Sequence, residues 1–298
     1  MTWIFLAIGS ALFLGVYDIM KKLSLNQNAV LPTLLFSSLS GALIFTVPVI
    51  LSKSNAIPEG HLLFVPDISL EEHLFIILKT IIVLSSWILA FFALKNLPIT
   101  IVAPIRSTSP VWTLIGAIII FQEQLTVWQW VGLMVTLVFF YLFSTTGKLE
   151  GIRFRSNKYI WFIILATLIG GGSGVYDKFL MQRIDRMAVQ TYFTFYQVLF
   201  MLAIVSILWW PKRRSLTPFQ WRWTIPLIGT FLVIADFLYF YALTDPEALI
   251  SIISALRRVS VIITFLVGAL IFKEQNIRKK GYFLMGILIG VLIIVLSG

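Results

Sequence analysis

The sequence predicts an all-α integral membrane protein: ten transmembrane helices arranged as two inverted five-helix repeats. Three observations carry that expectation. Of the 298 residues 59% are hydrophobic and 12% charged, with a mean hydropathy of +0.96, far above the apolar content of a soluble domain. The apolar residues fall into runs long enough to cross about 30 Å of hydrocarbon at about 1.5 Å per helical residue. Finally, the stretch Ala103 to Gln124, APIRSTSPVWTLIGAIIIFQEQ, returns as Ser254 to Gln275, SALRRVSVIITFLVGALIFKEQ. Seven of its 22 positions are identical without a gap: Arg106/Arg257, Ser109/Ser260, Thr113/Thr264, Ile120/Ile271, Phe121/Phe272, Glu123/Glu274 and Gln124/Gln275. Two unrelated apolar segments would share roughly two, so the chain reads as two copies of one unit.

Taken in order, the predicted spans are 2–24, 31–51, 74–95, 99–121 and 127–146, then 159–180, 188–210, 222–244, 247–272 and 278–297. The first, MTWIFLAIGSALFLGVYD, lacks the basic region and small-residue cleavage site of a secretory signal, so it reads as a retained membrane helix. Between spans two and three, Ser52 to His73 carries Pro58, Pro66 and four acids, the composition of a solvated loop or a short surface helix. Span three ends in Ala93-Leu94, echoed by Ala242-Leu243 at the end of span eight. Gly15-Val16-Tyr17-Asp18 near the end of span one is echoed by Gly174-Val175-Tyr176-Asp177 in span six. The polar, basic linker 147–158 separates a first repeat, 1–146, from a second, 159–298. Because each unit holds an odd number of spans, the second crosses in the opposite sense to the first. That is the arrangement expected of a transporter whose site lies near the midplane, between the repeats.

The repeated stretch also supplies the candidate site. An arginine inside an apolar helix, followed at helical spacing by Ser and Thr, places a polar stripe where lipid penalises each charge by about 2.5–3.5 kcal/mol. Such a stripe is expected to face a cavity. A guanidinium stays charged when desolvated and offers paired donors to a carboxylate or phosphate. Arg106, Arg257 and Arg258, with Asp236, Ser109, Ser260, Thr113 and Tyr196, are therefore the candidate substrate-binding residues. The competing expectation is that the arginines are structural, paired with Asp236, Asp18 or Asp177. Intramembrane cations, counted as Arg106, Arg257, Arg258, Lys21 and Lys178, outnumber those three acids, which favours an anionic ligand. Asp18 and Asp177 are candidate proton carriers, since a desolvated carboxyl titrates nearer neutrality. Their alternative is a local salt bridge with Lys21, Lys22 or Lys178 at a helix end.

Aromatic residues accompany the stripe: Tyr17, Trp87, Phe91, Trp112, Tyr176, Tyr192, Tyr196, Tyr239 and Tyr241. Trp209, Trp210, Trp221 and Trp223 read as an interfacial belt. Tyr192, Tyr196 and Gln197 share one face of span seven and are candidates to line a pathway. The glycines 170, 171, 172 and 174, and Gly286 with Gly290, permit close helix approach; the first group is also a candidate hinge. No phosphate loop, zinc-protease, nucleophile-elbow or metal-spaced motif occurs. Cysteine is absent and histidine occurs twice, so no metal site and no cofactor is expected, and no enzyme activity. The net charge of +10 sits mostly in short loops, which points to membrane topology and away from nucleic acid.

A helix ending in Ala-Leu, a break at Pro98, a helix with Pro104 and Pro110, and a small-residue helix closing in Phe-x-Glu before a helix with Gly132 together resemble an EamA-type unit. With two such units the whole chain resembles the drug/metabolite transporter superfamily. Ile105-Arg106 with Pro110, and Leu256-Arg257-Arg258-Val259, are similar to the phosphate-translocator branch. The resemblance implies that these basic residues hold the anionic group of a substrate; the Phe-x-Glu ends depart from that branch. An acidic residue in span one is likewise similar to the small multidrug resistance branch, although Asp18 lies later in its helix.

The combined expectation is a secondary transporter of a small polar metabolite, anionic or zwitterionic, in the cell membrane, as a monomer or homodimer surrounded by lipid. The rivals are a proton-coupled exporter of amino acids or cationic compounds and a lipid-headgroup flippase. Fifteen lysines and arginines flank the ends of odd-numbered spans, against four on the opposite side. The positive-inside rule then places both termini outside, whereas the family resemblance implies cytoplasmic termini.

Overall fold

A computed structural model describes residues 2–97, 105–106, 108–144, 157–260, 263 and 277–297. Every regular element among them is helical. The first half contributes α1 (Thr2–Leu25), α2 (Val30–Lys53), α3 (Leu70–Asn96), α4 (Ser109–Phe121) and α5 (Val127–Ser144). The second contributes α6 (Lys158–Met181), α7 (Arg186–Ile204), α8 (Thr224–Leu243), α9 (Ile250–Leu256) and α10 (Ile277–Ser297). α7 runs on through a π-helical turn, Val205–Trp209, and a 3-10 turn, Trp210–Lys212, while α9 passes into a 3-10 turn at Arg257–Val259. Six of these helices are long and apolar enough to cross a membrane: α1, α2, α3, α6, α7 with its extension, and α8. The apolar stretches of α4, α5 and α10 are shorter. Pro98, Pro104, Thr264, Phe272, Glu274, Gln275 and nearly all of linker 147–158 lie outside the described residues, as does the side chain of Phe91.

Local chemistry sets the helix ends. α3 starts four residues before the expected span because Ser69 caps it. The Ser69 hydroxyl accepts from the backbone of Glu72 at 3.3 Å, and the Glu72 carboxylate accepts from the Ser69 backbone at 2.7 Å. The reciprocal bonds satisfy donors that a helix start leaves open. The connector before it forms no helix; Val65 is buried against Phe45 and Met187, and its backbone N–H donates to the Ser52 hydroxyl at 3.0 Å. α7 is capped by Asp185, whose carboxylate accepts from Met187 and Ala188. α4 ends at Gln122 with a left-handed φ of 52°, which turns the next residue, Glu123, into the bundle. α9 begins at 250 and not 247, because Asp245 ties the preceding turn by accepting from Glu247 at its carboxylate and from Ala248 at its carbonyl.

Packing obeys the repeat. Exchange of helices one to five with six to ten maps the α1–α8 pair onto α6–α3, and both pairs pack together. It maps α2–α8 onto α7–α3, again both present, and leaves α2–α7, α4–α9 and α5–α10 paired with themselves. Glycines set several of these approaches. A Cβ on Gly171 would lie 3.1 Å from the Ser109 carbonyl, and one on Gly15 would lie 2.9 Å from the Ser260 carbonyl. Thus in each half the repeated serine abuts a glycine of the other half's first helix. Gly229 meets the Ser37 backbone, Gly286 the Phe139 ring and Gly290 Thr136. The principal buried cluster draws Trp3, Ile4 and Ile76 from the first half and Phe193, Phe240 and Ile253 from the second.

Candidate functional site

Between α1, α2, α3, α7 and α8 lies a narrow, partly open cavity. α2 presents Ser37 and Ser38 to it, α7 presents Gln190, Thr194 and Gln197, and the rings of Tyr17, Trp87 and Phe193 supply apolar wall. One charged side chain lines it among the described residues, Asp236 of α8. Gln197 is buried and its amide nitrogen has no hydrogen-bond partner, whereas Gln190 donates to the Val233 carbonyl at 2.8 Å.

Asp236 leads from the cavity into a set of buried charges. Its carboxylate accepts from the Arg257 guanidinium at 2.9 Å, and that guanidinium lies over the Tyr239 ring, 4.0 Å from its centre. The Tyr239 hydroxyl donates to Asp177 at 3.1 Å. Asp177 in turn pairs with Lys79 of α3, whose ammonium also faces the rings of Phe193 and Phe240. A lysine only 3% exposed is tolerated only with such a partner, because desolvating an unpaired ammonium is costly.

Four ion pairs occur among the described residues: Lys21–Asp18, Lys79–Asp177, Lys178–Glu123 and Arg257–Asp236. Asp18 pairs with Lys21 on its own helix at 2.7 Å. Asp177 does not pair with its neighbour Lys178, the partner that the sequence offers. Lys178 is buried and donates instead to Glu123 at 2.8 Å and to the Ala248 carbonyl at 2.6 Å. Neither Arg106 nor Arg258 has a carboxylate partner among the described residues. Arg106 is exposed and Arg258 half-buried, the Nε atoms of Arg257 and Arg258 are buried without a partner, and Arg258 lies within electrostatic reach of Arg106, Arg257 and Asp18.

The remaining candidates are placed elsewhere. Thr113 donates to the Gly171 carbonyl at 3.1 Å and accepts from Ser254 at 3.4 Å, so with Ser109 and Ser260 it sits at helix contacts. Tyr196 is hydrogen-bonded to His73 at 2.9 Å, and His73 also packs edge-on against Tyr192, towards the start of α3. Sequence reasoning passed over Lys79, although a single lysine in HLFIILKTIIVL carries the same signal as Arg106. It also gave Glu123 no role. The Glu123 carboxylate accepts from the backbone of Ile250 at 2.7 Å, the backbone of Ser251 at 3.3 Å and the Ser251 hydroxyl at 2.5 Å, and so caps α9 as well as holding Lys178.

A solved crystal structure is similar over 99% of this chain and 96% of its own, with a TM-score of 0.69 at 14% identity; the likeness is one of fold. No curated protein matches the chain. The EamA-like transporter family matches residues 1–145 and 157–296, the same two halves that exchange in the packing. The bundle, with its paired buried charges and a cavity lined from both halves, is the scaffold of a membrane transporter by that match, and the chain belongs to the EamA-like transporter family.

Proposed function

We propose that the protein is a ten-span secondary transporter in the cell membrane, with repeats 1–146 and 159–298, that moves a small anionic or zwitterionic metabolite by alternating access. The observation that carries the reading is the charge balance. Asp18, Glu123, Asp177 and Asp236 each have their own cation, whereas Arg106 and Arg258 have no carboxylate partner among the described residues. A guanidinium does not escape its charge by deprotonating, and at membrane depth it calls for an anion. Arg106 and Arg258 receive the carboxylate or phosphate of the substrate, and the Arg257–Asp236 pair at the cavity wall receives its polar remainder. Ser109, Ser260 and Thr113 set the spacing of the helices around that site. The similarity of Arg106, Arg257 and Arg258 to the basic residues of the phosphate-translocator branch supports the same assignment.

A second reading has one observation in its favour. The charged group that lines the cavity is Asp236, beside the Tyr17, Trp87 and Phe193 rings, a combination that suits an ammonium through charge and cation–π attraction. In that reading the arginines are scaffold, and Asp18 or Asp177 carries a proton.

Thermal melting of the purified protein with inorganic phosphate, dicarboxylates, amino acids and quaternary amines separates the two. A ligand at about 100 times its dissociation constant stabilises the fold by about 2.7 kcal/mol. Stabilisation by anions, lost in both Arg106→Gln and Arg258→Gln, is the expected result. Stabilisation by amines alone, lost in Asp236→Asn, would establish the second reading.

A further inference from the structure

Helix α6 carries two adjacent charges that both bind the opposite repeat. Asp177 reaches back to Lys79 on α3, and Lys178 reaches Glu123 just beyond α4. Both pairs are buried. The second is fastened further, because Lys178 also holds the Ala248 carbonyl and Glu123 also holds the start of α9. The α4–α5 connection, the end of α6 and the α8–α9 connection are thereby drawn together at the end of the bundle where both chain termini lie.

The other end is built differently. By the Gly-Val-Tyr-Asp register, Asp18 is the counterpart of Asp177 and Ile19 that of Lys178. By the Ala-Leu register, Ile228 is the counterpart of Lys79. Both isoleucines are buried, Ile19 6% and Ile228 2% exposed, so neither cation is repeated at its register-equivalent position. Asp18 turns to Lys21 on its own helix, and its side chain is 40% exposed. Glu274, the counterpart of Glu123, lies outside the described residues. On that side the end of α1 meets the start of α8 through Ser24 with Thr224 at 2.6 Å, the Arg222 guanidinium donating to the Leu23 carbonyl at 2.5 Å and reciprocal bonds between Asn28 and Gln220; none of these is an ion pair. The cavity lies near mid-depth: Tyr17 and Ser38 are each about 12 Å along their helices from the α1–α2 connection, and Asp236 is about 10 Å from the terminus-side end of α8.

We propose that Asp177 and Lys178 form a double clasp that closes the terminus end of the substrate pathway and opens once in each transport cycle. The proposal rests on the alternating-access reading above. An exchange of access between repeat-related ends must separate α6 from α3 and from the α4–α5 connection, and the two ion pairs are what hold that seam. The register-equivalent positions on α1 and α8 hold isoleucines, so this particular clasp belongs to the terminus end and is not repeated by the other half.

The chain contains no cysteine, so any introduced thiol is the only one. We would place one reporter at Ala248→Cys, at the clasp, and in a separate protein one at Ser38→Cys, on the cavity wall. Labelling by a water-soluble maleimide is then measured with and without Lys178→Met in the purified full chain. Losing one partner of a buried pair weakens the closed state, so labelling at 248 should rise at least about tenfold while labelling at 38 falls. Should Lys178→Met fail to fold, Glu123→Gln, which keeps an oxygen against the α9 backbone, carries the same test. Unchanged labelling at 248 would overturn the proposal. So would a rise at both positions, because that reports loosening of the whole bundle and not an exchange of access. No substrate enters this measurement, so its failure is distinct from failure of the anion assignment, which the melting panel reads.

Discussion

Lys79 sits 3% exposed between Phe193 and Phe240, and its ion-pair partner there is Asp177. Removing one member of such a pair leaves the other desolvated and alone, at a cost of about 3–5 kcal/mol; removing both charges together is close to neutral. Lys79→Met should therefore lower the melting temperature steeply. Adding Asp177→Asn, which keeps an acceptor for the Tyr239 hydroxyl, should recover most of the loss. A double variant no more stable than the single one would show that the pair contributes through something other than mutual neutralisation. At this scale the sequence reveals which charges lie within apolar runs but not their partners. Arg106, Arg257 and Asp236 stand out because lipid penalises them, and Lys79 carries the same signal. That Asp177 would choose Lys79, 98 residues away, over the adjacent Lys178 follows from the packing of α3 against α6, which no local rule contains.

Among the helices, glycine marks where two backbones touch, and the contacts divide glycines that look alike in sequence. Gly229 faces the Ser37 backbone and the Ser40 hydroxyl, while Gly172, inside the glycine group of α6, has nothing within 4 Å of where its Cβ would be. Gly229→Ala should force α2 from α8 and destabilise by about 1–3 kcal/mol, as overpacking does. Gly172→Ala should be neutral or stabilise by up to about 1 kcal/mol, since alanine is the better helix former. Thermal melting of the two variants tests the contrast; equal effects would contradict it. Helix ends behave likewise. The Ser69 cap has a sequence signature, Ser-x-x-Glu, and Ser69→Ala should cost about 1 kcal/mol by the same measurement. The cap of α9 has no such signature, because its carboxylate, Glu123, arrives from a different repeat.

For the whole molecule, the repeat was legible because seven identities in 22 positions impose a shared packing on both halves, and the exchange of α1–α8 with α6–α3 follows from it. The asymmetry between the halves was not legible. It lies in Lys79 and Lys178 facing isoleucine counterparts, and it acquires meaning only once the ion pairs they form are seen to cross between repeats. The basic loops belong to the end opposite the clasp. The positive-inside rule predicts that this end is cytoplasmic and both termini outside, the reverse of what the family resemblance implies, and on that prediction a cysteine placed near the N-terminus should react in intact cells with an impermeant maleimide. Protection of that thiol until the cells are opened would reverse the assignment.

The account as a whole depends on solute crossing the bilayer through the site marked by Arg106 and Arg258. Counterflow into proteoliposomes measures this directly, with the vesicles preloaded with the unlabelled anion that most stabilises the protein and the same compound added outside in radiolabelled form. The account predicts transient accumulation above that of protein-free vesicles, abolished in Arg258→Gln although that variant still folds. Accumulation that survives Arg258→Gln and Arg106→Gln together, or its absence with an anion that binds, would contradict it.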